Sequence, residues 1–356
     1  AVVFEPGRNR EVGQDVFAEF DGSVRALGDP QRVVAGIGSL REELTHLRGR
    51  LQVVLVAFEL EPVGIGDRAP GLHAQQRVVR LVIVVAGKIR LVGRDQQIPI
   101  EDLAGLSGAA KQASATASFS APTRQLLGSS QANWLNSQMA ASKATWQVLG
   151  QQVLMARMEF PVSVLAALNP SDTSAEAQAA GSKAVSDYLT AKATPAALRT
   201  PMQLALMDPK TNPKLGYNLD AWDGYIVARE TLLGAAAQLG KKLISLAGDT
   251  HNAWHSKLSL MGLANPAMAG MKVGEEFATS SVSSPGIESY LSLPPAQIKG
   301  IFEGVVDDLR WMDPSRRGYL KMIFTASEAR GEWYFVSTVS EKNYTVSLGK
   351  TAIFGQ

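Results

Sequence analysis

The amino-acid sequence changes character near residue 105, and this break limits what the chain can fold into. Residues 1–105 contain twelve arginines and one lysine, whereas residues 106–356 contain eight arginines and fourteen lysines. Tryptophan, tyrosine and methionine are absent from the first region and frequent in the second. We therefore divide the chain into an atypical N-terminal segment, residues 1–105, and a second region, residues 106–356.

The N-terminal segment has two interpretations, which the sequence leaves open. In the first it is a separate, unrelated domain of unusual composition, with predicted strands at residues 53–60 and 78–85 and a short helix at 40–51. In the second, residues 1 to about 88 come from a wrong reading frame, because Arg, Gly, Val and Ala use GC-rich codons while Met, Lys, Asn and Tyr use AT-rich ones. Residues that cap helices or form hairpin turns are scarce here, so the local sequence agrees poorly with the elements predicted from the hydrophobic pattern.

The whole chain has the composition of a globular protein, with 46% hydrophobic and 19% charged residues. Its net charge of +2 provides no nucleic-acid-binding signature. No apolar run reaches the roughly 18 residues of a membrane span, so no transmembrane segment is predicted. The chain lacks cysteine, which excludes disulfides, thiolate metal ligands and cysteine nucleophiles.

The second region alternates helical and strand patterns and then becomes rich in strands, which predicts a sheet-based α/β domain. Residues 201–217 are predicted as turns because of two Asp/Asn-Pro breakers. The predicted elements are helices at 130–143, 174–193 and 221–239, strands at 146–158, 243–247 and 277–282, and closing antiparallel strands at 319–325, 332–339 and 344–354. Gly240 is predicted to end the third helix.

A candidate metal motif follows the predicted strand at 243–247. That strand would place Asp249 and His251 at its carboxyl end, where α/β proteins commonly have their sites. Gly248 would permit a sharp turn, and residues i and i+2 of an extended loop project to the same side. A carboxylate and an imidazole placed in this way can ligate one metal ion. The Asp-x-His pattern also arises by chance in surface loops, so the motif alone leaves the site open.

The remaining histidines carry weaker signals. His255 is either a further site residue or an ordinary structural histidine on the first turn of a following helix. His46 and His73 stand alone in the N-terminal segment, and we assign them no role.

Seven stretches of the second region resemble the alkaline phosphatase D family, also called PhoD-like phosphatases, and occur in the family's order. They are Leu127-Gly-Ser-Ser-Gln131 with Trp134-Leu135, Trp146-Gln-Val-Leu-Gly-Gln-Gln-Val153, Tyr217-Asn-Leu-Asp-Ala-Trp-Asp-Gly-Tyr225 with Arg229, Gly248-Asp-Thr-His-Asn-Ala-Trp254, Phe277-Ala-Thr-Ser-Ser-Val-Ser-Ser-Pro-Gly286, Arg317-Gly-Tyr319 and Glu332-Trp333. The resemblance runs from about residue 120 to 350, the C-terminal half of the family's sequence, with a possible start near Arg90.

The resemblance implies an α/β fold with a calcineurin-like metallophosphatase core, in which two facing β-sheets are flanked by helices, here incomplete at the N-terminus. It implies a metal-dependent hydrolase of phosphate mono- and diesters that uses calcium and iron. Its substrates would be small-molecule phosphate esters, and the protein would be exported to the periplasm or the cell exterior.

By the same resemblance, Asp249 and His251 become metal ligands. The candidates for substrate binding or the rim of the site are Asn218, Trp222, Asp223 and His255. No catalytic residue is assigned. The first three have an alternative interpretation of equal weight, in which they form the start of a helix that Asn218 or Asp220 caps. Arg316 and Arg317 either hold phosphate or form surface salt bridges.

The sequence departs from the family pattern in its N-terminal segment. The family's first metal ligands come from aspartate motifs in that half, and Gly66-Asp67 is the nearest candidate, in an unsuitable context. A two-metal site needs ligands from both halves. The alternative function is therefore an inactive truncated or mis-framed family member, or a non-catalytic binding domain.

Overall fold

The computed structural model of the chain describes residues 56–60, 81–83, 94–98, 118–167, 174–291 and 293–355. The predicted helix at 40–51, His46, His73 and Gly66-Asp67 lie outside these residues. The described strands are β1 Val56–Leu60, β2 Leu81–Ile83, β3 Trp146–Gly150, β4 Glu159–Pro161, β5 Lys214–Gly216, β6 Lys242–Ala247, β7 Ala253–Ser259, β8 Lys272–Ala278, β9 Leu309–Asp313, β10 Gly318–Phe324, β11 Glu328–Val336 and β12 Val346–Gly355. The described α-helices are α1 Ser129–Ala141, α2 Val162–Ala167, α3 Ala175–Ala193, α4 Pro201–Met207, α5 Ile226–Gln238 and α6 Pro295–Val305.

These strands form two large sheets and a small one. The six-stranded sheet has the order β2-β3-β6-β8-β7-β9, in which only β7 runs against the others. The four-stranded sheet has the order β1-β10-β11-β12, with β1 parallel to β10 and the rest antiparallel. Strands β4 and β5 form an antiparallel pair. The predicted α/β class and the closing antiparallel strands are confirmed.

Two hydrophobic clusters define the layers of the fold. The first joins the two large sheets face to face, with Trp146 and Phe277 from the six-stranded sheet against Met322 and Trp333 from the four-stranded one. The second joins the opposite face of the six-stranded sheet to the helices and includes Phe302 of α6. Since burying a large apolar side chain contributes about 1.5–3 kcal/mol, these two clusters fix the order of the layers: four-stranded sheet, six-stranded sheet, helices.

Helix α5 illustrates which local signals determine the elements. Its predicted end is confirmed, because Gly240 has a φ of 61° and its N–H bonds to the Ala237 carbonyl, a left-handed stop that favours glycine. Its predicted start at residue 221 is wrong. A short 3₁₀ turn, Trp222–Gly224, comes first, and neither Asn218 nor Asp220 caps the helix. Instead the Asn218 Oδ1 accepts the Asp220 N–H at 3.1 Å, an Asx turn.

Three further predictions differ from the structure. The strand predicted at 146–158 ends at residue 150, and a buried loop follows. Residues 201–217 contain α4, which begins with a capping box between Thr200 and Gln203, and then β5. The strand predicted at 277–282 lies earlier, at Lys272–Ala278. None of the helices in the described part of the chain has the length and apolar character needed to cross a membrane.

Candidate functional site

The segment that follows β6 makes a tight turn at the carboxyl end of the six-stranded sheet. Asp249 has a φ of 67° and His251 a φ of 62°, the left-handed region that residues with a Cβ seldom adopt. Gly248 is not left-handed, so the expectation that this glycine makes the turn, and that an extended loop follows, is wrong. Such backbone conformations cost about 1–3 kcal/mol each and cluster at functional sites.

Four hydrogen bonds hold this turn, which we call the Asp249–His251 turn. The Thr250 N–H bonds to the Gly248 carbonyl at 2.8 Å, and the Thr250 hydroxyl accepts the indole N–H of Trp254 at 2.6 Å. The Ser281 N–H donates to the His251 carbonyl at 3.2 Å. The strained backbone is therefore fixed by neighbours on both sides.

The fourth bond orients the His251 ring. Its Nδ1 lies 2.7 Å from the carbonyl oxygen of Pro285. Because a carbonyl can only accept, Nδ1 carries the proton and the lone pair is on Nε2. Histidines that ligate metals are commonly held in this way, by a carbonyl on the nitrogen remote from the metal.

The carboxylate of Asp249 belongs to a small group of acidic and phenolic side chains. Burial, and then the negative charges of Asp223 and Asp249, raise the pKa of Tyr217, so that its hydroxyl stays protonated. The Tyr217 ring packs edge-on against Phe160 and Phe302, with centroids 6.2 and 5.9 Å away. Tyr217 is therefore a neutral phenol whose ring position is fixed.

Two of the predicted rim residues lie beneath the surface. Trp222 is 1% exposed and Asp223 6%, so in this conformation they support the site without contacting a substrate. The Asp223 Oδ2 accepts the Met158 N–H at 2.9 Å, while its buried Oδ1 has no hydrogen-bond partner. Burial and the nearby Glu159 raise the pKa of Asp223 to about 7.

Gly216 permits the close approach of this carboxyl group. A Cβ at position 216 would lie 2.4 Å from the Asp223 Cβ, so a side chain there would force Asp223 to move. The third rim candidate of this segment, Asn218, is half-buried and engaged in its Asx turn.

The structure corrects the expectation for His255. This residue lies in strand β7, not on the first turn of a helix. Its Nε2 is 2.7 Å from Glu275 Oε2, and its ring packs 5.1 Å from Phe277 and 6.0 Å from Trp333, on the side of the four-stranded sheet. His255 is thus a structural histidine and is not brought together with Asp249 and His251.

The two candidate phosphate-binding arginines are both paired. The Arg316 Nε bonds to Asp313 at 2.7 Å, and its guanidinium lies 4.1 Å above the ring of Phe335. Arg317 pairs with Glu288 and donates to the Ser315 carbonyl at 2.7 Å. The salt-bridge interpretation is confirmed for both.

Comparison with known proteins assigns the chain to a family. A family model described as PhoD-like phosphatase matches residues 72–333. The chain belongs to the PhoD-like phosphatase family. Alkaline phosphatase D of Bacillus subtilis (strain 168) is 25% identical over 167 residues, which cover 46% of this chain and 20% of that protein. A solved structure titled "Structure of PhoD" aligns with a TM-score of 0.48 and 18% identity over 78% of this chain and 40% of that one.

The chain thus spans a fifth of the length of the curated PhoD-like relative, and the match to the family model begins at residue 72, inside the N-terminal segment. Residues 94–98 contact the second region, because Arg94 pairs with Asp220 and the Tyr225 hydroxyl donates to the Asp95 carbonyl at 2.8 Å. The boundary at residue 105 and the origin of the segment before it stay predictions.

Asp249 and His251 supply part of what a metal site needs. The turn presents a carboxylate and an imidazole with a free Nε2 lone pair, donors that suit iron and other first-row metals. Among the residues that the structure describes, no three His, Asp or Glu side chains are close enough to bind one ion. These two residues are therefore candidates for one part of a ligand set.

Proposed function

We propose that this chain is part of a metal-dependent hydrolase of phosphate mono- and diesters of the alkaline phosphatase D type, acting on small-molecule phosphate esters. The observation that carries the proposal is the Asp249–His251 turn. It combines two strained non-glycine residues, a histidine oriented by a backbone carbonyl, and a place at the carboxyl end of a parallel strand, inside the residues matched by the family model.

The proposal includes the fold and the setting. Two facing sheets with helices on the outer face of the larger one support a calcineurin-like core. Calcium and iron are the proposed metals, held by Asp249 and His251 together with further ligands. Export is inferred from the family resemblance alone.

A bound metal would supply positive charge to the phosphate oxygens and a water of lowered pKa. The residues of this chain would supply position. The Pro285 carbonyl holds the imidazole in one tautomer and orientation, so no reorganisation is needed when a ligand binds. The neutral hydroxyl of Tyr217 adds no negative charge beside the phosphate. Trp254 fixes Thr250 between the two candidate ligands.

The test is hydrolysis of p-nitrophenyl phosphate and bis-p-nitrophenyl phosphate by the full chain, with calcium and iron supplied. We expect metal-dependent turnover that falls about 100-fold or more in the Asp249→Ala/His251→Ala variant, because metal ligands and their charge are lost. His255→Gln is the matched control, since it removes a histidine that the structure places outside the site. Absence of turnover from folded chain would contradict the proposal and favour the inactive or non-catalytic alternative.

A further inference from the structure

The loop at residues 151–158 connects the interior of the protein to the Asp249–His251 turn. It follows β3 and continues alongside β6, where the Gln151 N–H bonds to the Leu246 carbonyl at 2.9 Å. The Gly248 N–H bonds to the Gln152 carbonyl at 3.0 Å. Because Gly248 immediately precedes Asp249, the position of this loop determines where the turn begins.

The loop is buried, so its other backbone groups need partners inside the protein. Glu276 of β8, which is 0% exposed, accepts two of its N–H groups. Its Oε1 accepts the Met155 N–H at 2.7 Å and its Oε2 the Ala156 N–H at 2.9 Å. Arg229 also bonds to the loop, because its Nε donates to the Met155 carbonyl at 2.6 Å, and the Met158 N–H donates to Asp223. Bonds to a charged acceptor are about twice as strong as neutral ones.

A chain of side-chain hydrogen bonds ends on the same carboxylate. The Trp222 indole N–H donates to Gln151 Oε1 at 2.6 Å, and Gln151 Nε2 donates to the Ser245 hydroxyl at 2.8 Å. The Ser245 hydroxyl donates to Glu276 Oε1 at 2.8 Å. An indole can only donate and a carboxylate can only accept, so the direction of every bond is determined.

These contacts leave no place for an amide at position 276. Both carboxylate oxygens accept a backbone N–H, and one of them also accepts the Ser245 hydroxyl. A glutamine would present its NH₂ group to one of those N–H donors and leave that donor buried without an acceptor.

We infer that Glu276 is a positioning residue, which holds the loop at 151–158 and, through Gln152 and Gly248, the Asp249–His251 turn in the geometry that the site needs. Its consequence for turnover rests on the proposed function. Its consequence for the turn does not.

The test compares Glu276→Gln with Glu275→Gln in the full chain. Glu275 is the preceding residue of the same strand, but it bonds to His255 and pairs with Lys272 on the other face of the sheet. Hydrogen exchange followed by mass spectrometry would be measured for the peptides that contain residues 151–158 and 248–251. We expect about tenfold faster exchange in both peptides for Glu276→Gln and wild-type exchange for Glu275→Gln.

Turnover of p-nitrophenyl phosphate provides the second readout. A displaced turn lowers the rate of the chemical step more than it weakens substrate binding, so we expect kcat to fall about tenfold in Glu276→Gln with KM changed less than about threefold. Glu275→Gln should keep both constants.

Ser245→Ala serves if Glu276→Gln does not fold. It removes one donor to Glu276 and keeps the two backbone bonds, so we expect the same changes at about a third of the size. The inference is overturned if exchange at 248–251 stays at the wild-type rate in the folded variants, or if Glu275→Gln accelerates it equally. A wild-type chain without turnover would contradict the proposed function, while the exchange measurement would still decide the role of Glu276.

Discussion

The two faces of the six-stranded sheet are built in different ways. The face toward the four-stranded sheet is packed mainly with aromatic and aliphatic side chains, and its polar contacts include the His255–Glu275–Lys272 group and the Trp333 indole N–H on the Ala278 carbonyl at 2.9 Å. The face toward the helices, beneath the candidate site, contains the buried ionisable side chains of Asp223, Arg229 and Glu276.

The difference shows what buried charge contributes in this protein. Moving ions out of water is costly, and apolar packing of equal volume is often as stable. On the helix-facing side, however, the charged groups bond to the backbone of residues 151–158, an irregular loop between β3 and β4. One face therefore contributes mainly stability, and the other fixes the position of a segment next to the Asp249–His251 turn.

The largest effect is expected from removing the positive charge on the helix-facing side. Arg229→Met keeps the volume of the side chain but removes the donors to the Met155 and Ser259 carbonyls, at 2.6 and 3.0 Å. It also leaves the buried carboxylates nearby without their compensating charge. We expect a loss of about 3–5 kcal/mol in the free energy of unfolding, measured by urea denaturation.

The matched control is Arg316→Met, which removes an arginine of a half-exposed ion pair with Asp313. Exposed pairs contribute about 0–1 kcal/mol, so this variant should be nearly as stable as the wild type. Equal losses in the two variants would mean that the buried charge has no special role, and the comparison of the two faces would fail.

The next effect concerns Asp223 and depends on pH. Its carboxyl group has a pKa of about 7 in the folded chain, and about 3.9 when unfolded. Between these values the folded state binds one more proton, so this group makes the free energy of unfolding decrease as pH rises from about 4 to 7, by a total on the order of 4 kcal/mol. Asp223→Asn removes the titration, and the stability of the variant relative to the wild type should increase over that range.

Urea denaturation at pH 5, 6, 7 and 8 measures this slope. Asp307→Asn is a control of opposite sign, because Lys192 and Lys214 outweigh burial and lower the pKa of Asp307. Stability from Asp307 is present above its unfolded pKa and is lost only as pH falls through the lower folded pKa. This variant should therefore show the wild-type slope from pH 5 to 8. Parallel curves for wild type and Asp223→Asn would show that Asp223 is ionised throughout.

Local signals predicted the elements whose partners are near in sequence or whose pattern is regular. The helix predicted at 174–193 is α3, whose Ser174 side chain accepts the Ala177 N–H at 3.2 Å. Strand β11 of the closing set has the alternating burial of a sheet with one covered face. In both cases the residues that determine the structure lie within the element or next to it.

The failures have a different physical origin. The apolar run at 151–158 has the composition of a buried strand, but its hydrogen-bond partners include side chains more than 60 residues away, among them Glu276 and Asp223. Strand β7 was missed because His255 and Lys257 make it appear polar, while their partners Glu275 and Asp308 become neighbours only in the folded sheet.

The same limit applies to the site. The position of Asp249 and His251 at a strand end followed from the sequence, but their left-handed backbone did not, since Asp and His adopt it more often than other residues with a Cβ and still in a small minority of cases. Glu275 and Glu276 are adjacent residues of the same type. Only the register of β8 against β6 and β7 decides which of them lies beneath the site.

A smaller effect is expected on the apolar face. Trp333→Phe removes the indole N–H from the Ala278 carbonyl and leaves a cavity beside Phe277, whose ring stacks at 5.7 Å. We expect a loss of about 1–3 kcal/mol in the free energy of unfolding. Because this face does not hold the 151–158 loop, kcat and KM for p-nitrophenyl phosphate should stay at wild-type values. A change in kcat as large as that of Glu276→Gln would show that both faces position the site.

The smallest effect is expected at the edge of the same face, where Lys272 pairs with Glu275 and lies 4.6 Å from the centre of the Phe354 ring. Its side chain is 41% exposed, so water and salt screen the pair. Lys272→Met keeps the aliphatic contact with Phe354 and removes the charge, and we expect a loss of no more than about 1 kcal/mol that shrinks further in 0.5 M salt. Denaturation at low and high salt measures it. A loss near that of Arg229→Met, unaffected by salt, would mean that the charges on this face stabilise the fold as much as those beneath the site. The two faces would then differ only in the composition of their side chains.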